Sequence, residues 1–327
     1  MKKHIKIYVL FSIKNKKEKR KHMEKNQENN ETQEIKTLSP KLDVIFQAIF
    51  GEVGSEKITK GFLETVLKQK IETIDLSKNP ILRQEFKEEK LGVLDIIAEL
   101  DGKEKCNIEL QIVDKSNIIE RILFYWSRLY SRQIKAGTDY EKLERTIVVL
   151  ITDFEIKGLE EAEYHSRWKI MESENNKRII LTEKLEIDIL ELPKIKGKEE
   201  NKDKVLDWLY FLENPKSWRV TKKMEENEEL KEAVEKLDTL SADERMRRIA
   251  ELREKAILDE KAIYARGIEV GEEQGIKQGM KQGMKQGVEQ GELNKSKEIA
   301  RNMLKEKISI EIIVKVTGLS KEQIEKL

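Results

Sequence analysis

The sequence predicts a mixed α/β domain followed by a long, highly charged helical extension. Three observations carry this. Residues 91–113, LGVLDIIAELDGKEKCNIELQIV, read as two short strands joined by a tight turn at Asp101-Gly102, a dipeptide suited to the positive φ angles of a hairpin. Residues 145–154, RTIVVLITDF, form a continuous apolar run rich in β-branched residues, as expected of a strand buried on both faces. Beyond about residue 198 the pattern becomes helical and charged, and glycine recurs every four residues from Gly267 to Gly291.

Composition narrows the possibilities. At 327 residues the chain exceeds what one core usually serves, so a main domain with appendages is expected. Charged residues make up 39%, yet 64 Lys+Arg and 63 Asp+Glu leave a net charge of only +1. That balance predicts solvated helices of alternating charge, with any nucleic-acid contact confined to a local basic face. Cys106 is the single cysteine, which rules out an intramolecular disulfide and reads as a small buried hydrophobe. His4, His22 and His165 are scattered, a poor basis for zinc or Ser-His-Asp chemistry. No stretch approaches eighteen apolar residues, so no membrane span is expected.

In chain order, residues 1–37 read as a disordered basic and polar tail. Lys6 interrupts its apolar run and no small-residue cleavage site follows; Met23 is an alternative start that would make residues 1–22 dispensable. Ser39 as N-cap and Pro40 at the first helical position then predict a helix over KLDVIFQAIFG, with Leu42, Ile45, Phe46, Ile49 and Phe50 inward and Asp43 off that stripe. A second helix, 56–69, carries Ile58, Phe62, Leu63, Val66 and Leu67 inward, and 71–87 read as a connection, with a first strand as the further reading, before the hairpin. Residues 117–136 read as a long helix closed by Gly137, holding Ile118, Ile122, Phe124, Tyr125, Leu129 and Ile134 inward. A strand pair at 164–170 and 178–181 follows, and 184–195 complete the sheet with Ile187, Ile189 and Leu190 apolar and Pro193 as a stop. The main domain is therefore drawn at 38–196. It contains no glycine-rich phosphate loop and is not doubly wound.

The charged helical region is drawn at 197–265, with Trp208, Leu209, Phe211 and Leu212 as anchors and Trp218 packing nearby. The glycine repeat occupies 266–292. A period-4 row drifts by about 40° per repeat on a helix of 3.6 residues per turn, so it cannot form a straight seam. It reads as a weak helix ordered by self-association, with a flexible spacer as the alternative. Residues 293–327 read as a small helix-turn-helix-like tail, punctuated by Gly318 and Ser320 and better suited to docking protein than to reading DNA.

The hairpin also carries the candidate chemistry. Asp95 is the odd residue among Val93, Leu94, Ile96 and Ile97, while Glu109 and Gln111 leave one face of their strand at period 2. A carboxylate in an apolar strand needs a partner, and two on paired strands repel unless a cation lies between them. Mg²⁺, which takes one or two carboxylates and completes its shell with water and phosphate, fits that requirement. The alternative is a polar face on a half-exposed strand.

LDVIFQAIFG (42–51), LDI (94–96), IELQ (108–111), RILFYWSRLYSRQIKAG (121–137), IVVLITDF (147–154) and the period-4 glycine tail together resemble the Rpn family of recombination-promoting nucleases, often labelled transposases, within the PD-(D/E)XK nuclease superfamily. The resemblance covers roughly residues 38–327. It implies a restriction-endonuclease-like mixed sheet flanked by helices and metal-dependent hydrolysis of DNA phosphodiesters in recombination or mobile-element biology. Asp95 and Glu109 would hold Mg²⁺, with Mn²⁺ able to substitute. Gln111 would stand where the superfamily usually has lysine, and Asp43 would complete the site from the first helix. Gln47 departs from a lysine common in the family. Arg121, Arg128 and Arg132 would steady flanking phosphates, ordinary surface ion pairs being the alternative. DNA, a second copy bound through the C-terminal helices, and a cytoplasmic location without membrane complete the expectation. Against it stand a nuclease fold that binds DNA or protein with weak or no catalysis, and a purely structural assembly protein.

Overall fold

A computed structural model describes residues 36–77, 96–135, 137–174 and 177–327. The N-terminal tail to residue 35 and the segment 78–95, Asp95 included, lie outside the described residues. The chain divides into two compact units, Met1–Lys255 and Ala256–Leu327. The helices of 205–242, together with the first turns of the long helix after them, thus share a unit with the sheet.

The first unit is built on a six-stranded mixed sheet of order β1-β2-β3-β4-β6-β5. Its strands are β1 (Ile74–Asp75), β2 (Ile96–Leu100), β3 (Glu104–Gln111), β4 (Thr146–Thr152), β5 (His165–Trp168) and β6 (Leu185–Glu191). The hairpin pairs β2 with β3 antiparallel, from Ile96 opposite Ile108 to Leu100 opposite Glu104. Asp101 and Gly102 both have positive φ, 50° and 68°, and the Asp101 carboxylate accepts the Glu72 and Thr73 amides, tying the turn to the residues before β1. β4 lies parallel between β3 and β6 and every one of its residues is buried. That is why its interior, residues 147–151, is apolar on both faces rather than alternating.

Helix α1 (Asp43–Phe50) and helix α2 (Glu56–Leu67) bury the predicted apolar stripes. α1 begins later than its capping signal predicts. Ser39 instead initiates a turn over Pro40–Leu42, where its hydroxyl accepts the Lys41 amide at 3.3 Å and its carbonyl the Leu42 amide at 3.2 Å. Helix α3 (Ile118–Ser131) is shorter than predicted, and Phe124 is 43% exposed rather than inward, because Ile118, Ile122, Tyr125 and Leu129 define the buried stripe. The strand expected at 178–181 supplies only an isolated bridge, Met171 to Ile180; β5 pairs with β6.

Helix α4 (Val205–Glu213) is buried along most of its length. Its Trp208 lies 6.0 Å from Phe50 and 5.7 Å from Phe62 between ring centroids, so α1, α2 and α4 share one aromatic core. Helix α5 (Trp218–Lys223) is pinned by Arg219. The buried guanidinium donates to Asp207 at 2.7 Å and to the carbonyls of Glu199, Asn201 and Asp203. Trp218 itself is exposed and lies under the Lys222 ammonium. Helix α6 (Glu228–Ala242), N-capped by Asn227, packs close to α2: a Cβ at Gly61 would come within 2.7 Å of the Glu229 Cβ.

Helix α7 (Glu244–Lys305) runs for 62 residues through all seven glycines of the repeat. In the second unit its end packs with helix α8 (Ile310–Thr317) and helix α9 (Lys321–Glu325) around Ala300, Ile313, Leu319 and Ile324. Gly318 ends α8 at φ 70°, and Ser320 opens α9 with a full capping box to Gln323. Ile299 is 39% exposed, and Ala300 takes the core position beside it. No helix among the described residues is long and apolar enough to cross a membrane.

Replacing Arg219 by Met will leave Asp207 buried without its counter-charge, an effect of about 3–5 kcal/mol. Urea denaturation should show that loss, whereas Arg219→Lys should retain part of the stability. The Cys106 thiol, fully buried and with its pKa raised mainly by that burial, should not react with a thiol reagent at pH 8 until the chain is unfolded.

Candidate functional site

Glu109 stands near the end of β3, two residues before the strand runs out, and its side chain is completely buried. Strand parity sends Gln111 to the same face, and its amide donates to Glu109 Oε1 at 2.9 Å. From the first turn of α3, Arg121 Nη2 donates to the same oxygen at 2.8 Å. The Arg121 guanidinium also lies over the Tyr125 ring, 5.5 Å from its centroid.

This meeting depends on how α3 is anchored. At its far end Trp126 Nε1 donates to the Thr146 carbonyl at 2.9 Å, and the Gln133 side chain bonds the Thr146 hydroxyl and the Glu144 amide. Those bonds fix the end of α3 at the start of β4, so the helix returns along the strands and delivers its first turn to the end of β3. Ile118 and Ile122 then pack with Val148, Leu150, Ile187 and Ile189 on the face that carries Glu109. Arg128 and Arg132 follow Arg121 at spacings of seven and four, one face of a helix. Both are half-buried and partnered.

The remaining candidates are placed as follows. Asp43, in the first turn of α1, accepts from Arg253 Nε at 2.8 Å and from the Val44 amide. Arg121, expected at phosphate, is bonded to Glu109. Asp95 immediately precedes Ile96 in sequence and lies outside the described residues.

Sequence reasoning passed over Lys41. Its ammonium lies 2.8 Å from Asp153 and 2.7 Å from Glu213, and the Asp153 amide donates to the Gln111 carbonyl. Burial opposes the Lys41 charge, but the hydrogen bonds that its ammonium donates to these two carboxylates, together with their negative charges, outweigh it and raise its pKa. A lone lysine beside a proline gave no signal of this. Sequence reasoning also passed over Glu186 and Asp188, both fully buried on β6. Glu186 pairs with Arg145 at 2.8 Å, and Asp188 with His165 at 2.7 Å and Arg167 at 3.0 Å. Acids at period 2 in LEIDILE were the available signal.

The donors at Glu109 and Gln111 are hard oxygens, a chemistry suited to Mg²⁺ rather than to zinc. Among the described residues no group of three His, Cys, Asp or Glu gathers as a metal cluster. Of the two carboxylates that the sequence assigns to metal, only Glu109 falls within the described residues.

A family model described as PD-(D/E)XK nuclease family transposase matches residues 40–267. A second, described as the C-terminal HTH domain of the Rpn/YhgA-like nuclease family, matches residues 293–327. No curated protein and no solved structure gives a significant match.

Replacing Arg121 by Leu should strand the Glu109 charge and lower stability by about 3 kcal/mol in urea denaturation. Adding Glu109→Gln to that variant should recover much of the loss, because it removes the buried charge itself.

Proposed function

Because the chain belongs to the PD-(D/E)XK nuclease family of transposases, we propose that it is a Mg²⁺-dependent deoxyribonuclease that hydrolyses DNA phosphodiester bonds during recombination or mobile-element movement. One observation carries this reading: a completely buried carboxylate, Glu109, held at a strand end with Gln111 and Arg121 on the same oxygen.

In this reading Glu109 and Asp95 hold the metal. When bound, Mg²⁺ supplies an acidified water and charge neutralisation at the scissile phosphate. Gln111 takes the position of the usual lysine. Its amide orients the attacking water by neutral hydrogen bonds and adds no charge. Arg121 balances Glu109 and, with Arg128 and Arg132 along the same helix face, contacts DNA phosphates without reading sequence. Asp43 contributes from the first helix once its pairing with Arg253 is exchanged. The partners are DNA and a second copy of the chain, held through the C-terminal helices. The cytoplasm is the compartment we assign.

A second reading is favoured by the charge balance of the site. Gln111 is uncharged, and Glu109 Oε1 already accepts two donors. A nuclease fold with weak chemistry that binds DNA or protein as an oligomeric module would tolerate both.

Plasmid nicking separates the two. The purified chain should nick supercoiled DNA with Mg²⁺ or Mn²⁺ and not with EDTA, and Glu109→Gln and Asp95→Asn should each fall to background while remaining folded. A folded wild-type chain that retards DNA without nicking it in any metal would establish the second reading instead.

A further inference from the structure

Phe124 lies on the outer side of α3, where its ring is 43% exposed. An exposed apolar side chain needs no explanation by itself, but the setting of this one does. It follows Arg121 by three residues and precedes Arg128 by four, the two spacings at which side chains are neighbours on a helix. Its ring leans on Tyr125, with centroids 6.2 Å apart, and the Arg121 guanidinium lies over Tyr125 in turn. Phe124 therefore stands one turn from the arginine bonded to Glu109, on a helix anchored at its far end by Trp126 and Gln133. Residues 115–135 carry five basic side chains and one acidic, in a chain whose net charge is only +1.

We propose that Phe124 is a stacking platform for an unpaired base, and that the substrate class is DNA with unpaired nucleotides beside the bond to be cut. The proposal deepens the DNA reading above and rests on it. Charge and shape together select the occupant. The arginine row attracts a polyanion. A guanidinium has five N–H donors, so each arginine can keep its partner within the chain and still meet a phosphate. A ring exposed between two of those arginines matches a flat π-face, which a nucleobase has and a phosphate or an acidic side chain lacks. In duplex DNA each base face is covered by its neighbours in the stack, so the base that meets Phe124 is an unpaired one.

Binding is read apart from cleavage, on the full chain in EDTA and again with Ca²⁺. Phe124→Leu keeps an apolar side chain but has no ring. It should weaken binding of an oligo(dT) strand about tenfold and binding of a blunt duplex by less than about twofold. Phe124→Trp should hold the single strand as well as the wild type does. Its added indole fluorescence, measured against the wild type, should be quenched by oligo(dT) and not by the duplex. The salt dependence of affinity should be the same in both variants, because stacking releases no counterions. Equal losses on the two DNAs, no loss in Phe124→Leu, or a Phe124→Trp chain as weak as Phe124→Leu would overturn the platform and leave the nuclease reading standing. A wild type that binds neither DNA in either buffer would overturn both. The expected pattern in a chain that never nicks DNA would sustain the platform and transfer it to the binding module of the second reading.

Discussion

A sheet closed on both faces cannot bury a carboxylate without a partner, because removing the charge from water costs more than packing around it returns. Among the described residues four acids in this sheet are fully buried: Glu109 on β3 and Glu186, Asp188 and Glu191 on β6. Each meets a basic side chain: Arg121, Arg145, Arg167 with His165, and Lys194. These pairs tie α3 to the end of β3, β4 to β6, and β6 to its edge strand and to the turn that follows it. Much of the tertiary arrangement is therefore a set of solutions to one electrostatic problem.

Glu109 differs from the three acids of β6 in where it sits. Glu186 and Asp188 occur within a strand and are closed in by side chains from β5 and from the start of β4. Glu109 lies near a strand end, with Gln111 beyond it and the arginine-bearing face of α3 leading away. The same physical need for a counter-charge thus serves stability in the interior of β6 and leaves Glu109 at a position compatible with chemistry. Lys41, joined through Asp153 to the backbone of Gln111, adds a second cation near that end.

The long helix poses the opposite problem, since its stability cannot come from its own propensity. Seven interior glycines weaken it by about 0.8–1 kcal/mol each relative to alanine. Its repeat exposes Ile276, Met280 and Met284 along one side.

Amphipathic spacing made α1, α2 and α3 legible, the Asp101-Gly102 turn made the hairpin legible, and the β-branched run made the central strand legible, because each depends on neighbours in sequence. Strand parity likewise placed Glu109 and Gln111 on one face. What the sequence could not show is who meets whom across the fold. Arg121 on Glu109, Arg253 on Asp43 and Arg145 on Glu186 join residues 12, 210 and 41 positions apart. An arginine with a free choice among acids looks the same in sequence whichever it takes. Even the start of α1 was decided by tertiary context, where Ser39 makes a turn and Lys41 is drawn to Asp153 and Glu213. Local periodicity and turn chemistry were determined by the sequence itself; the pairing of buried charges was decided only by tertiary structure, because burial sets the cost of each charge and packing sets which counter-charge is within reach.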